Sequence, residues 1–121
     1  TSTFIPLMAA AELALTGDQT WLQGRNEIYR QRRDIIIQAL REMGIEAEVP
    51  RAAFYIWTRF PVSFPDSVTF CNRLLTEAGV STTPGSNFGS MGEGYFRISL
   101  GQNTMLIQKA MYNMKKWLSR I

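Results

Sequence analysis

The sequence predicts an α+β fold: a two-layer small domain with a mixed or antiparallel sheet, helices packed on it, and a long helix leading in. Three observations carry this. Apolar stripes at spacings of three and four, each with a start or stop signal, mark helices. Residues 53–60, A-F-Y-I-W-T-R-F, have the strongest β-propensity in the chain. Residues 82–100, T-T-P-G-S-N-F-G-S-M-G-E-G-Y-F-R-I-S-L, are a glycine-punctuated loop running into an alternating strand.

Residues 4–15, F-I-P-L-M-A-A-A-E-L-A-L, are helical by composition. Ser2 or Thr3 is placed to cap this helix, and Pro6 is tolerated in its first turn. Only Glu12 is charged. A helix apolar nearly all round is buried on all sides. It is therefore either a central core helix or one that expects a partner surface outside this chain. Gly17 ends it and Asp18 caps the next. Residues 19–43 form a long helix, roughly 37 Å at about 1.5 Å per residue. Trp21, Ile28 and Ile35 make one apolar row, and Leu22, Tyr29, Ile36 and Met43 an adjacent one. Arg25, Arg30, Arg32, Arg33 and Arg41, interspersed with Glu27, Asp34 and Glu42, form a solvated, ion-paired face.

Gly44 stops the long helix, and residues 45–49 read as a short strand. After the break at Pro50-Arg51-Ala52, the strand at 53–60 has Phe54, Ile56 and Thr58 on one face and Tyr55, Trp57 and Arg59 on the other. Both faces are bulky, so this strand is expected to be central and covered on both sides. Asp66 caps a helix to residue 78 with an inward stripe of Val68, Cys71, Leu74, Leu75 and Ala78. Gly79 ends it, and residues 80–83 form a short strand. Asn103 caps a last helix to residue 120, with Ile107, Ala110, Met111, Met114, Trp117, Leu118 and Ile121 inward.

Composition bounds the function. The 121 residues make one domain, and 45% apolar content suffices for a core. The net charge of +3 is spread along the chain and implies neither a nucleic-acid nor a membrane partner. No histidine is present, which removes the usual general base and metal ligand. Cys71 is the lone cysteine, which excludes an internal disulfide or cysteine zinc site and fits a reducing, cytoplasmic location. It sits in a helical stripe as a buried, inert thiol. No run approaches the ~20 apolar residues of a membrane span, and no signal peptide is visible. The chain starts at Thr1 without Met, which points to processing or a cut-out fragment.

The loop and strand at 82–100 hold the candidate site. Gly85, Gly89, Gly92 and Gly94 give a shaped backbone able to close over a small ligand. Along the strand, Phe96, Ile98 and Leu100 form the core side and Tyr95, Arg97 and Ser99 the other. Arg97 is either a solvated or salt-bridged strand arginine or an anion receptor whose fork of donors matches a carboxylate.

The runs A-A-F-Y-I-W, F-C-N-R-L-L-T-E-A-G-V, T-P-G-S-N-F-G and G-E-G-Y-F-R-I-S-L follow one another in order, preceded by W-L-Q-G-R-N-E-I-Y-R-Q-R-R-D. Together they resemble the C-terminal, small domain of the class I/II aminotransferases, pyridoxal-phosphate (PLP) enzymes of fold type I, over essentially the whole chain. The resemblance implies that Arg97 binds the α-carboxylate of an amino-acid or 2-oxo-acid substrate. Tyr95 and Ser99 share its face and are expected to orient the guanidinium. Asn87, Phe88 and Tyr55 are expected to line the same mouth. Ala52 stands where the family more often has glycine, and Met8 where a polar residue is common.

The resemblance also shows what is missing. Such enzymes hold PLP on a lysine in a Ser/Thr-x-x-Lys context, with an aspartate at the pyridine nitrogen, all in a large domain. Here Lys109, Lys115 and Lys116 lie on the last helix; Asp18 and Asp66 read as caps and Asp34 as a surface charge. The implied organisation is an apolar helix at 1–17 that packs on the missing large domain and a small domain at 18–121. PLP is expected in the full-length parent and none on this chain, which alone is expected to be inactive. A homodimer, or self-association through residues 4–15, is expected. The alternative is a stand-alone α+β module that binds small carboxylates or mediates self-association.

Overall fold

The computed structural model describes residues 4–121. Its elements are α1 (Ile5–Thr16), α2 (Thr20–Glu42), β1 (Tyr55–Arg59), α3 (Ser67–Ala78), β2 (Thr83–Pro84), two 3-10 turns (Gly85–Phe88 and Ser90–Gly92), β3 (Tyr95–Ser99) and α4 (Thr104–Leu118). The sheet order is β1-β3-β2, and both pairings are antiparallel. This is the α+β two-layer arrangement that the sequence predicts.

The core lies between the helices and one face of the sheet. Ile56, Phe96 and Ile98 meet Ile36, Ile37 and Leu40 of α2, Phe70 and Leu74 of α3, and Ile107, Met111, Met114 and Trp117 of α4. Phe70 is its hub: its ring lies 5.4 Å from Phe60, 5.0 Å from Phe64, 4.8 Å from Phe96 and 5.9 Å from Trp117. Thr58, the polar residue on the core face of β1, is buried and donates to Glu46 O at 2.8 Å.

Helix ends follow the local rules. The side chain of Asp66 accepts from Thr69 N and that of Asn103 from Leu106 N. The cap expected of Asp18 is displaced by one residue: Gln19 occupies the N-cap position of α2 without a side-chain bond, while Asp18, one residue earlier, accepts from the N–H and hydroxyl of Thr20. The capping expected of Ser2 or Thr3 falls outside the described residues; Phe4 occupies the N-cap position of α1 without a side-chain bond.

Two predicted strands are corrected by one physical cause. Gly44 and Gly79 take left-handed φ of 72° and 68° at the ends of α2 and α3. Each is followed by a buried aliphatic residue whose N–H returns to the helix: Ile45 to Leu40 O, Val80 to Leu74 O. The β-prone starts of 45–49 and 80–83 are therefore helix caps with a hydrophobic contact. The first segment keeps only a bridge between Ala47 and Thr58, and Pro50, which has no N–H, follows it. The second begins as a strand only at Thr83.

The strand at 53–60 is also corrected. β1 is an edge strand and β3 is central. Its Tyr55, Trp57 and Arg59 face is open, not covered by a second layer. Bulk on both faces there reflects a populated outer surface. Two helical stripes differ from the prediction: that of α3 is rotated, and that of α2 is covered only toward its C-terminal half. In α3 the buried set is Ser67, Phe70, Cys71 and Leu74, with Val68 and Leu75 exposed. In α2 Ile36, Ile37 and Leu40 are buried and Tyr29, Ile35 and Met43 pack partly against the core, whereas Trp21 and Ile28, toward the start of the helix, are exposed. Ile121 lies outside the stripe of α4. α1 has no buried residue at all, so it is no central core helix.

Candidate functional site

The pleat decides which side chains leave the core. With Phe96 and Ile98 inward, Tyr95, Arg97 and Ser99 project from the outer face of β3. The register pairs Arg97 with Trp57, Tyr95 with Arg59 and Ser99 with Tyr55. One sheet face thus collects three rings and two guanidinium groups, and Phe88 joins them from the turn Gly85–Phe88.

Arg97 is half-buried among these rings. Its Cζ lies 4.0 Å from the Tyr55 ring centroid and 4.5 Å from that of Phe88. The flat faces of a guanidinium are attracted to aromatic faces, and its N–H edge stays free for an anion. No carboxylate among the described residues pairs with it. The row continues away from Arg97: Phe88 stands edge-on to Trp57 at 5.5 Å, Trp57 stacks on Tyr95 at 5.6 Å, and Arg59 lies 4.6 Å from the Tyr95 ring.

Of the residues predicted for the site, Tyr55 and Phe88 bracket Arg97. Tyr95 belongs to the Trp57–Arg59 end of the row. The Ser99 hydroxyl accepts from Gly101 N at 3.1 Å and shapes the turn after β3. The guanidinium is therefore oriented by Tyr55 and Phe88. Asn87 is exposed in the turn beside Phe88.

The loop that carries Phe88 is held by two devices. Gly85 and Gly92 cross in backbone contact: a methyl group at Gly85 would stand 2.0 Å from Gly92 O and 2.6 Å from Tyr95 O. The second device is Glu93, a residue sequence reasoning missed. Its carboxylate accepts from Ser67 N at 2.7 Å, the Ser67 hydroxyl at 3.0 Å and Gly94 N at 3.0 Å. The Ser67 and Ser86 hydroxyls are also bonded, at 3.0 Å. The Gly94 N–H, helped by the N–H and hydroxyl of Ser67, holds the Glu93 carboxyl below the usual range, against desolvation and the charge of Asp66. No sequence signal marks this role beyond a lone acid between two glycines, because Ser67 is distant in the chain. Trp57, too, carries no sequence signal beyond its place in a strand.

The remaining candidates lie elsewhere. Cys71 is buried, its thiol pKa pushed up by burial, and Thr82 Oγ1 lies 3.2 Å from its Sγ. No cluster of metal-ligating side chains exists among the described residues. No described helix is long and apolar enough to cross a membrane. An open trough of about 1370 Å³ lies between residues 44–51 and β1, past Trp57, Arg59 and Tyr95; Arg97 and Phe88 are not among its walls. Arg97 itself opens onto a sheet face and not into an enclosed cavity.

Comparison with known proteins adds the following. The family described as aminotransferase class I and II matches residues 2–112. The LL-diaminopimelate aminotransferase of Nitratidesulfovibrio vulgaris (strain DSM 19637 / Miyazaki F) is 41% identical over 107 residues, covering 88% of this chain and 28% of the relative. The crystal structure of an aromatic aminotransferase from Pyrococcus horikoshii OT3 superposes with TM-score 0.85 at 35% identity, over 92% of this chain and 30% of that one. An alanine aminotransferase from Pyrococcus furiosus gives TM-score 0.86 at 30% identity, over 93% and 29%. The chain thus spans under a third of the length of these proteins.

Proposed function

The chain belongs to the class I and II aminotransferase family, and on that premise we propose that it is the substrate-carboxylate-binding small domain of a PLP-dependent amino-acid aminotransferase. Arg97 grips the α-carboxylate of an amino acid or 2-oxo acid. Tyr55 and Phe88 hold its plane, Asn87 and Ser99 rim the mouth, and Tyr95 supports it by way of Trp57. The observation that carries this reading is the guanidinium set against two rings with no acid among the described residues paired with its N–H edge. Such an edge accepts a carboxylate through two parallel hydrogen bonds. The α-carboxylate is common to all amino-acid substrates, so Arg97 does not select among side chains.

When bound, PLP supplies the electron sink for moving the amino group. The residues here do not fit its attachment. All three lysines lie on α4, in the helix layer, with the sheet between them and the face that carries Arg97. Lys115 Nζ is bonded to Glu42 Oε2 at 2.6 Å. The cofactor-holding groups therefore belong to protein outside this chain. Residues 1–17 dock on that part, and 18–121 form the small domain. Two facts support this: no described residue of α1 is buried, and the chain spans 28% of a curated relative.

The test is a nuclear magnetic resonance titration with L-glutamate, 2-oxoglutarate and an amide analogue. An ion pair at a half-exposed site contributes about 0–1 kcal/mol, so binding is weak, on the order of millimolar or weaker. The Arg97 Nε–H resonance moves with both acids, not with the amide, and Arg97→Lys abolishes the response. Carboxylate-induced shifts scattered over the other arginines, or retained in Arg97→Lys, overturn the reading.

A further inference from the structure

We infer that Arg32 and Tyr29 of α2 are positioning residues for the carboxylate arm: acting through Phe54, they hold the Tyr55 ring against the Arg97 guanidinium. This rests on the reading of Arg97 as the carboxylate handle.

The contacts form an unbroken series. Arg32 Cζ lies 5.6 Å from the Tyr29 ring centroid. Tyr29 stacks on Phe54 at 6.2 Å with 30° between planes, and Phe54 lies 4.5 Å from Tyr55. Tyr55 in turn lies 4.0 Å from Arg97 Cζ. A second tie runs through the backbone. Arg32 Nη1 donates to Leu100 O at 3.1 Å, and the N–H of Leu100 donates to Phe54 O at 2.9 Å. Arg32 therefore grips the end of the β1–β3 seam nearest Tyr55.

Two features separate this arrangement from ordinary packing. Arg32 Nε is shut off from solvent without a partner, a cost to the fold. The neighbouring arginines differ: Arg30 pairs with Glu27 and Arg33 with Asp34. Secondly, Phe54 is 45% exposed, so the stack buries little apolar surface beside the core. What the stack fixes is the direction of a ring, since the attraction of a cation for a ring depends on its place over the face.

The experiment uses the 121-residue chain and reads two signals: the ring-current displacement of the Arg97 Nε–H resonance, and the dissociation constant for 2-oxoglutarate. Arg32→Met and Tyr29→Leu are expected to move the Arg97 resonance toward its random-coil position. Both should weaken carboxylate binding about threefold, the worth of a partly lost cation–π contact at an exposed site. Tyr29→Phe keeps the ring and restores both signals. A purely structural role changes the thermal midpoint and leaves the Arg97 resonance of the folded protein in place; that result overturns the inference. Should Arg32→Met fail to fold, Tyr29→Leu against Tyr29→Phe decides the question. If the wild-type chain binds no carboxylate, the handle reading fails, while the Arg97 resonance still tests the brace.

Discussion

Replacing Gly85 with alanine tests whether a backbone crossing sets the place of Phe88. The added methyl would lie 2.0 Å from Gly92 O and 2.6 Å from Tyr95 O. Both obstacles are main-chain atoms, so no rotamer change relieves them. An approach of about 3.4 Å is needed for ordinary contact, so the two turns must separate by more than 1 Å. Overpacking of this kind costs about 1–3 kcal/mol, and a backbone obstacle puts it at the upper end. With a urea dependence of about 1–3 kcal/mol per molar, the midpoint falls by about 1–3 M. Phe88 moves away from Arg97, so carboxylate affinity falls as well. Gly24 is the control: it lies within α2 and a methyl there meets nothing within 4 Å. Gly24→Ala should stabilise by about 1 kcal/mol. Urea denaturation of both variants, followed by tryptophan fluorescence, reads the two effects. A Gly85→Ala chain with the wild-type midpoint and the wild-type Arg97 resonance refutes the argument.

The other predictions concern the core, the acid range and α1. Phe70→Ala removes the hub of the aromatic cluster and should cost about 3–5 kcal/mol by equilibrium denaturation. Glu77 is held at a pKa of about 2, below the ordinary 4.5, first by its bonds to Arg73 and then by Trp117 Nε1. A depressed folded-state pKa means that its contribution is complete above pH 4.5 and fades as the pH falls toward 2. Glu77→Gln should therefore flatten the acid limb of stability in that window, with Trp117 emission as the reporter. Glu93 titrates in the same direction, so acid should free the loop from Ser67, seen as faster amide exchange at Ser67 and Gly94. Finally, α1 and its N-cap residue leave Phe4, Ile5, Leu7, Met8, Leu13 and Leu15 exposed. The chain should self-associate in sedimentation at high concentration, and a chain starting at Asp18 should be monomeric.

Much of the candidate site was legible because its signals are local. Alternation along residues 95–100 fixes that Arg97 leaves the core once Phe96 and Ile98 enter it. The glycines next to Phe88 announced a loop of close approaches, and Gly85 and Gly92 do meet there. Glu93 stayed hidden because its meaning lies in Ser67, which only packing brings near. The same limit explains the strands read at 45–49 and 80–83. A valine or isoleucine after a helix-ending glycine has β-propensity, and nothing local separates a strand start from a capping contact.

Short-range rules acting on the sequence alone determined the helices, most of their caps, the open side of β3 and the placing of all three lysines on α4. Tertiary structure decided the rest: that β3 and not β1 is central, that α1 finds no cover here, and that Tyr55 and Phe88 close on Arg97. Pairing order, helix rotation and ring placement depend on contacts between residues far apart in the chain. Such contacts are chosen by the packing of the whole core, which no single stretch of sequence encodes.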